Sequence, residues 1–398
     1  VRILRRARRS RLAIGRRLSV ACLLALGLGC ASAPPARYGN AISVDELRSG
    51  AVLGAPAPPG PVLAPEEILA VSPEMQAFLD AHVTRHADRA VRVRQLAYAI
   101  VGEGRFGLQY DETTRTAAET FRTRHGNCLS FSCMFVAMAR RVGLDAAFQE
   151  VDIPPDWTFA DDAFVLNRHV NVAVDLGREG EHVVDFNMDD FRTTYDRRRI
   201  SDERALAHFY NNVAVEKMRA GDDTSALLFF RSATGHDPQF SPAWTNLGIL
   251  YSRKGHPAYA EAAYLQALKA DAGDLVAMSN LANLYAQRGL PERAAFYRRR
   301  VAHHREQNPY FRYQMARRAY QAGDYDAAIR QLGYAIHLKR NEDQFYYLLG
   351  LSHLKKGDEE EARRWLVRAR EVAATDALKR RYDSKIGVLL PPGDERRR

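Results

Sequence analysis

The chain has 398 residues, 46% hydrophobic and 27% charged, with a formal net charge of +10. Eight arginines and no acidic residue fall in the first 29 positions, so the remainder carries only +2, and a nucleic-acid-binding function loses its main support. No HExxH motif and no paired CxxC point to zinc, the acidic run Asp185–Asp190 lacks the glycine and closing glutamate of a calcium loop, and neither metal nor cofactor is expected.

The arginines precede an apolar run at residues 18–28, too short to cross a bilayer comfortably, and residues 1–29 read as a signal peptide. Leu26-Gly27-Leu28-Gly29-Cys30 resembles the lipobox of bacterial lipoproteins. That resemblance implies cleavage and lipidation at Cys30, hence a membrane attachment; ordinary cleavage or an uncleaved anchor are the alternatives. It further implies an envelope protein facing the periplasm, and Ala31, lacking the aspartate tied to inner-membrane retention in related lipoproteins, favours the outer membrane. Residues 30–74 are rich in Pro, Ala and Gly and read as a tether.

Two cysteines, Cys128 and Cys133, lie in the region that follows, residues 75–200. Five positions apart on one helix they would project roughly 140° apart, which opposes a disulfide. Arg124-His125-Gly126-Asn127 interrupts two helical stretches, and the spacing of Phe131, Phe135, Met138 and Val142 predicts a buried helix stopped at Gly143. Cys128 then opens that helix, where unpaired N–H groups and the dipole favour a thiolate, while Cys133 is a small core residue. Further on, Val170, Val172 and Val174 alternate with His169, Asn171 and Ala173, and a second strand spans residues 181–186. If Asp175 opposes Glu181 across the turn, Asp185 lies diagonally beside His169, about 7–8 Å away on the same face. A thiol, an imidazole and a carboxylate in those roles are what acyl transfer by cysteine requires.

Tyr110-Asp111, residues 116–121, Gly126-Asn127-Cys128, residues 168–172 and Val184-Asp185-Phe186 together resemble the transglutaminase-like cysteine domains, which share the papain-like fold. The resemblance implies an α+β domain with Cys128 as nucleophile, His169 as base and Asp185 as orienting acid. For the oxyanion the Cys128 backbone N–H is expected, with Gln109 or Tyr110 as second donor. Acceptor access would depend on loops such as residues 153–165, which hold Pro154, Pro155 and Trp157.

Beyond this domain, Gly221, Gly255, Gly289, Gly323 and Gly357 stand 34 residues apart, and Ala226, Ala260, Ala294, Ala328 and Ala362 follow in step. A 34-residue period with bulky and small residues alternating resembles tetratricopeptide repeats, implying an all-α solenoid of five copies over residues 207–372 that binds a protein or peptide. Residues 373–398 read as a capping helix and tail. Asn212, Asn246 and Asn280 recur at one repeat position and are expected to stack as a ladder, by packing consensus or to grip a peptide. The whole reads as an envelope lipoprotein whose cysteine site attacks an amide or isopeptide through a thioester, the acceptor being water or an amine. A non-catalytic docking scaffold with a vestigial triad and a cell-wall or envelope peptidase are the alternatives.

Overall fold

The computed structural model describes residues 42–54, 62–101, 106–151, 159–160, 163–164, 169–185, 197–373 and 376–389. The leader, Cys30 and the greater part of the loop at 153–165 lie outside these residues. Part of the segment expected as a tether is folded instead. Ser43 accepts the Glu46 N–H at 3.1 Å to cap α1 (Val44–Ser49), and α2 (Pro65–Ile68) and α3 (Pro73–His82) follow, the last capped by Ser72 with Pro73 in its first turn. Leu47, Ile68, Met75 and Leu79 are each no more than 1% exposed, so these short helices contribute to the core.

After α4 (Arg89–Val101), β1 (Gln109–Tyr110) pairs in parallel with β2 (His125–Gly126), flanking α5 (Ala117–Thr123). Thr116 and Glu119 form a reciprocal cap at the start of α5, and Arg124 ends it in the left-handed region at φ 59°. Then α6 (Cys128–Arg141) runs through the centre, its residues from Leu129 to Ala139 all buried. The remaining strands are β3 (Asp145–Val151), β4 (Phe159–Ala160), β5 (Ala163–Phe164), β6 (His169–Asp175), β7 (Glu181–Val184) and β8 (Arg197–Arg199). Four of them form an antiparallel sheet in the order β7-β6-β3-β8, against which α6 packs. Asp175 pairs with Glu181, the register expected for the β6–β7 hairpin.

Ten helices then alternate in pairs: α7 (Asp202–Arg219), α8 (Asp223–His236), α9 (Ser241–Arg253), α10 (Pro257–Ala270), α11 (Leu275–Gln287), α12 (Pro291–Glu306), α13 (Pro309–Gln321), α14 (Tyr325–Leu338), α15 (Asp343–Lys355) and α16 (Glu359–Val372). Within each pair the turn is made by a periodic glycine at φ between 67° and 86°, a conformation that costs other residues strain. The periodic alanines are 0% exposed because each takes a large neighbour from the facing helix. The last helix, α17 (Asp376–Leu389), covers the final pair, with Ile386 and Leu389 against Ala362 and Leu366.

The sheet domain and the repeats are fused through α7. Glu150 of β3, 6% exposed, meets His208 Nε2 of α7 at 2.7 Å and Arg198 of β8 at 2.6 Å. Arg140 of α6 grips Asp202 with two bonds, at 2.6 and 2.8 Å, and Glu216 accepts the Thr114 N–H at 2.8 Å. The asparagine ladder differs from expectation: Asn246 Nδ2 donates to Asn211 Oδ1 at 2.9 Å, one residue before Asn212, and Asn280 Nδ2 is buried with no hydrogen-bond partner among the described residues. Rotation of about 100° per helical residue turns Asn211, not Asn212, toward the next repeat.

Candidate active site

Asn127 fixes where α6 begins. Its Oδ1 accepts the Ser130 N–H at 2.9 Å and its Nδ2 donates to Thr114 Oγ1 at 2.8 Å, so one side chain caps the helix and ties it to the preceding loop. Ser130 Oγ is held in turn by the Arg115 N–H at 2.9 Å. Gly126 allows this close approach: a Cβ there would lie 2.7 Å from the Cβ of Ser130, an atom that moves only if α6 moves. Gly126→Ala is therefore expected to cost about 1–3 kcal/mol of stability by overpacking, read from denaturant unfolding, and to slow modification of Cys128 in parallel.

Cys128 takes the first position of α6, partly exposed and not in a disulfide. One turn on, Ser132 Oγ lies 2.8 Å from the Cys128 carbonyl and 3.1 Å from that of Val170, pinning the helix start to the first residues of β6. His169, at the head of β6, sits beside Cys128, and its Nε2 is 2.7 and 2.9 Å from the two Asp185 oxygens. With Nε2 so committed, Nδ1 is the nitrogen left for the sulfur. Asp185, 2% exposed just after β7, also accepts from Asn171 Nδ2 at 2.9 Å. The structure thus brings Cys128, His169 and Asp185 together at the junction of α6, β6 and β7.

The electrostatics follow from that grouping. Burial is the largest influence on the His169 imidazole and pushes its pKa down, but the Asp185 carboxylate and the Cys128 sulfur outweigh it, raising the pKa to about 10. An imidazolium is thereby held next to the thiol. Cys133 differs: it is 2% exposed, and burial pushes its thiol up to about 12.

Gln109 and Tyr110 separate in the structure. The Gln109 carboxamide lies 3.1 Å from Nε2 of His125, its register partner across β1 and β2. Tyr110, 64% exposed, is the one that senses Cys128: partial burial raises its hydroxyl pKa first, followed by the negative charges of Cys128, Glu112 and Asp111. Sequence reasoning did not assign Asn171 a role. Its place two residues after His169 on an alternating strand puts it on the same face, which is the signal that could have found it.

Comparison with known proteins agrees with this architecture. Residues 77–186 match the family model of the transglutaminase-like superfamily, and residues 245–304 and 313–378 match that of the tetratricopeptide repeat. A stretch of 91 residues, 23% of this chain, is 26% identical to "Uncharacterized protein ycf37" of Guillardia theta, and the chain spans about half (51%) of that relative's length. Similar solved structures include YrrB, "a TPR protein with an unusual peptide-binding site", at 21% identity over 45% of this chain and 92% of that one, with a TM-score of 0.24. MamA is similar at 20% identity over 45% of this chain and 96% of that one, and MamA from Desulfovibrio magneticus RS-1 at 17% over 42% and 94%, both with TM-scores of 0.24. The chain carries a transglutaminase-like domain followed by tetratricopeptide repeats.

Proposed function

From a transglutaminase-like domain joined to tetratricopeptide repeats, we propose a cysteine acyl-transfer enzyme that acts on amide or isopeptide bonds of proteins held by its repeats. The observation that carries this reading is the convergence of Cys128, His169 and Asp185, with Nε2 of the imidazole bound to the carboxylate and the ring beside the sulfur. The thiolate adds to the carbonyl carbon, forming the C–S bond and an oxyanion. By their position in the first turn of α6, the Cys128 and Leu129 N–H groups lack intrahelical acceptors and face developing negative charge, with the Tyr110 hydroxyl as a third donor. The C–N bond then breaks, and the departing amine takes its proton from the His169 imidazolium. Water or a second amine gives a proton to His169, attacks the thioester and releases the thiolate. In this reading the leader directs export and is cleaved, and a lipid on Cys30 then holds the enzyme at the cell envelope, in the outer membrane and facing the periplasm.

The test is to acid-quench the full chain after incubation with an envelope protein extract and to map adducts by mass spectrometry. A hydroxylamine-sensitive acyl group on Cys128, absent from Cys128→Ala, is the expected result. Released peptide then indicates a peptidase, and a new amine adduct indicates cross-linking. Full rescue of a deletion strain by Cys128→Ala, with no adduct on the native chain, would overturn the proposal in favour of a docking scaffold.

A further inference from the structure

Because the repeats reproduce one geometry, a groove filled at one end shows what its counterpart at the other end can hold. In the first two repeats the chain fills the groove itself. Leu47 of α1 is buried against α8 and α10, and the Arg48 guanidinium lies 5.3 Å over the Trp244 ring while its Nε donates to Thr234 Oγ1 at 3.3 Å. The Tyr251 and Tyr259 hydroxyls, both donating at 2.5 Å, hold the Leu47 carbonyl and the Glu46 carboxylate.

Three 34-residue periods downstream, Tyr346 stands for Trp244 and Ile336 for Thr234. The equivalence is structural as well as numerical. Trp244 Nε1 donates to the Pro238 carbonyl at 2.9 Å, and the Tyr346 hydroxyl donates to the Arg340 carbonyl, the matching position, at 3.0 Å. Here a groove of about 670 Å³ opens between α14 and α16, and none of the described residues fills it as α1 fills the first. Its floor is Ile336 beside Tyr346 and Trp365, stacked at 6.0 Å, with the Arg368 guanidinium 5.8 Å over the Tyr346 ring and that of Arg364 4.9 Å over Trp365. The rim carries Arg340, Arg363, Arg364 and Arg368 against Glu360 and Glu371; Arg364 pairs with Glu361 and Arg368 with Glu371, each at 2.8 Å, so four guanidinium groups meet three carboxylates and one positive charge is in excess. At the first groove the occupant brings an arginine to a wall of Thr234 and Trp244; at the second the wall itself bears the arginines.

We propose that the groove between α14 and α16 binds a short acidic helical segment of a partner protein, which sets an apolar side chain on Ile336 beside the Tyr346–Trp365 stack and carboxylates against the arginine rim. The inference rests on the protein-docking reading of the repeats and is independent of the chemistry at Cys128. The probe is a fluorescein-labelled peptide of residues 42–54 carrying Arg48→Glu, titrated with the full chain by fluorescence anisotropy. It is expected to bind about tenfold or more tighter than the unaltered peptide, which controls for exchange at the groove α1 occupies, and to weaken by a similar factor in Arg340→Glu/Arg364→Glu. Arg340 and Arg364 are exposed, so an unchanged thermal melt of that variant shows that the fold is kept. No binding, equal affinity for the two peptides, or indifference to the double substitution would overturn the inference. The adduct on Cys128 reports separately on catalysis, so either proposal can fail without the other.

Discussion

Cys128→Ala removes modification of residue 128 and with it nearly all rapid labelling of the two α6 cysteines by a thiol-directed electrophile at pH 7, whereas Cys133→Ala leaves the labelling rate unchanged. Both residues lie on α6, but their surroundings oppose one another. Cys133 is sealed in the core, where burial disfavours the thiolate and lifts the pKa to about 12, so at neutral pH the reactive form is scarce as well as inaccessible. Cys128 is partly exposed at the helix start, with the His169 imidazolium beside it. Its access to solvent, against the sealed surroundings of Cys133, should make modification at 128 faster by about 100-fold or more. Peptide mapping of the full chain after brief treatment with iodoacetamide measures the ratio directly. Comparable labelling of both residues would show that the site does not activate its sulfur.

The parts of this arrangement legible in sequence are those fixed by local rules. Gly126-Asn127 announces a helix start, so Cys128 could be placed at its mouth, and the turn at residues 176–180 sets the hairpin register that puts Asp185 beside His169. The five turn glycines are legible because each demands the same left-handed conformation. What escaped was long-range. Glu150 lies at a strand position that local patterning would give to an apolar residue, and contacts with His208, 58 positions away, and Arg198, 48 away, explain why a carboxylate is tolerated there. Residues 44–49 are lost in a Pro-rich average, and a six-residue helix has no stability of its own; it forms because Leu47 and Arg48 find the groove under Trp244 and Tyr251. Asn171 went unassigned because its meaning depends on a carboxylate from the neighbouring strand.

Asp185→Asn is expected to lower the rate of adduct formation at Cys128 by about 10³-fold or more, and to change how stability depends on pH. The carboxylate serves two purposes: it accepts from Nε2, which leaves Nδ1 toward the sulfur, and its charge sustains the imidazolium against burial. An asparagine presents an amide of either polarity to Nε2 and supplies no charge, so both the tautomer and the proton are lost as constraints. The sign of the pH effect follows from the direction of the shift. The folded-state pKa of His169 is raised from 6.5 to about 10, so its contribution to stability is complete below 6.5 and disappears as pH rises through about 10. Asp185→Asn reduces that contribution, and the melting temperatures of native protein and variant should differ most near pH 6 and converge above pH 10. A constant offset across that window would mean that Asp185 acts through packing alone. Retention of the native adduct rate alongside it would remove Asp185 from the reaction and leave Cys128 and His169 as a dyad.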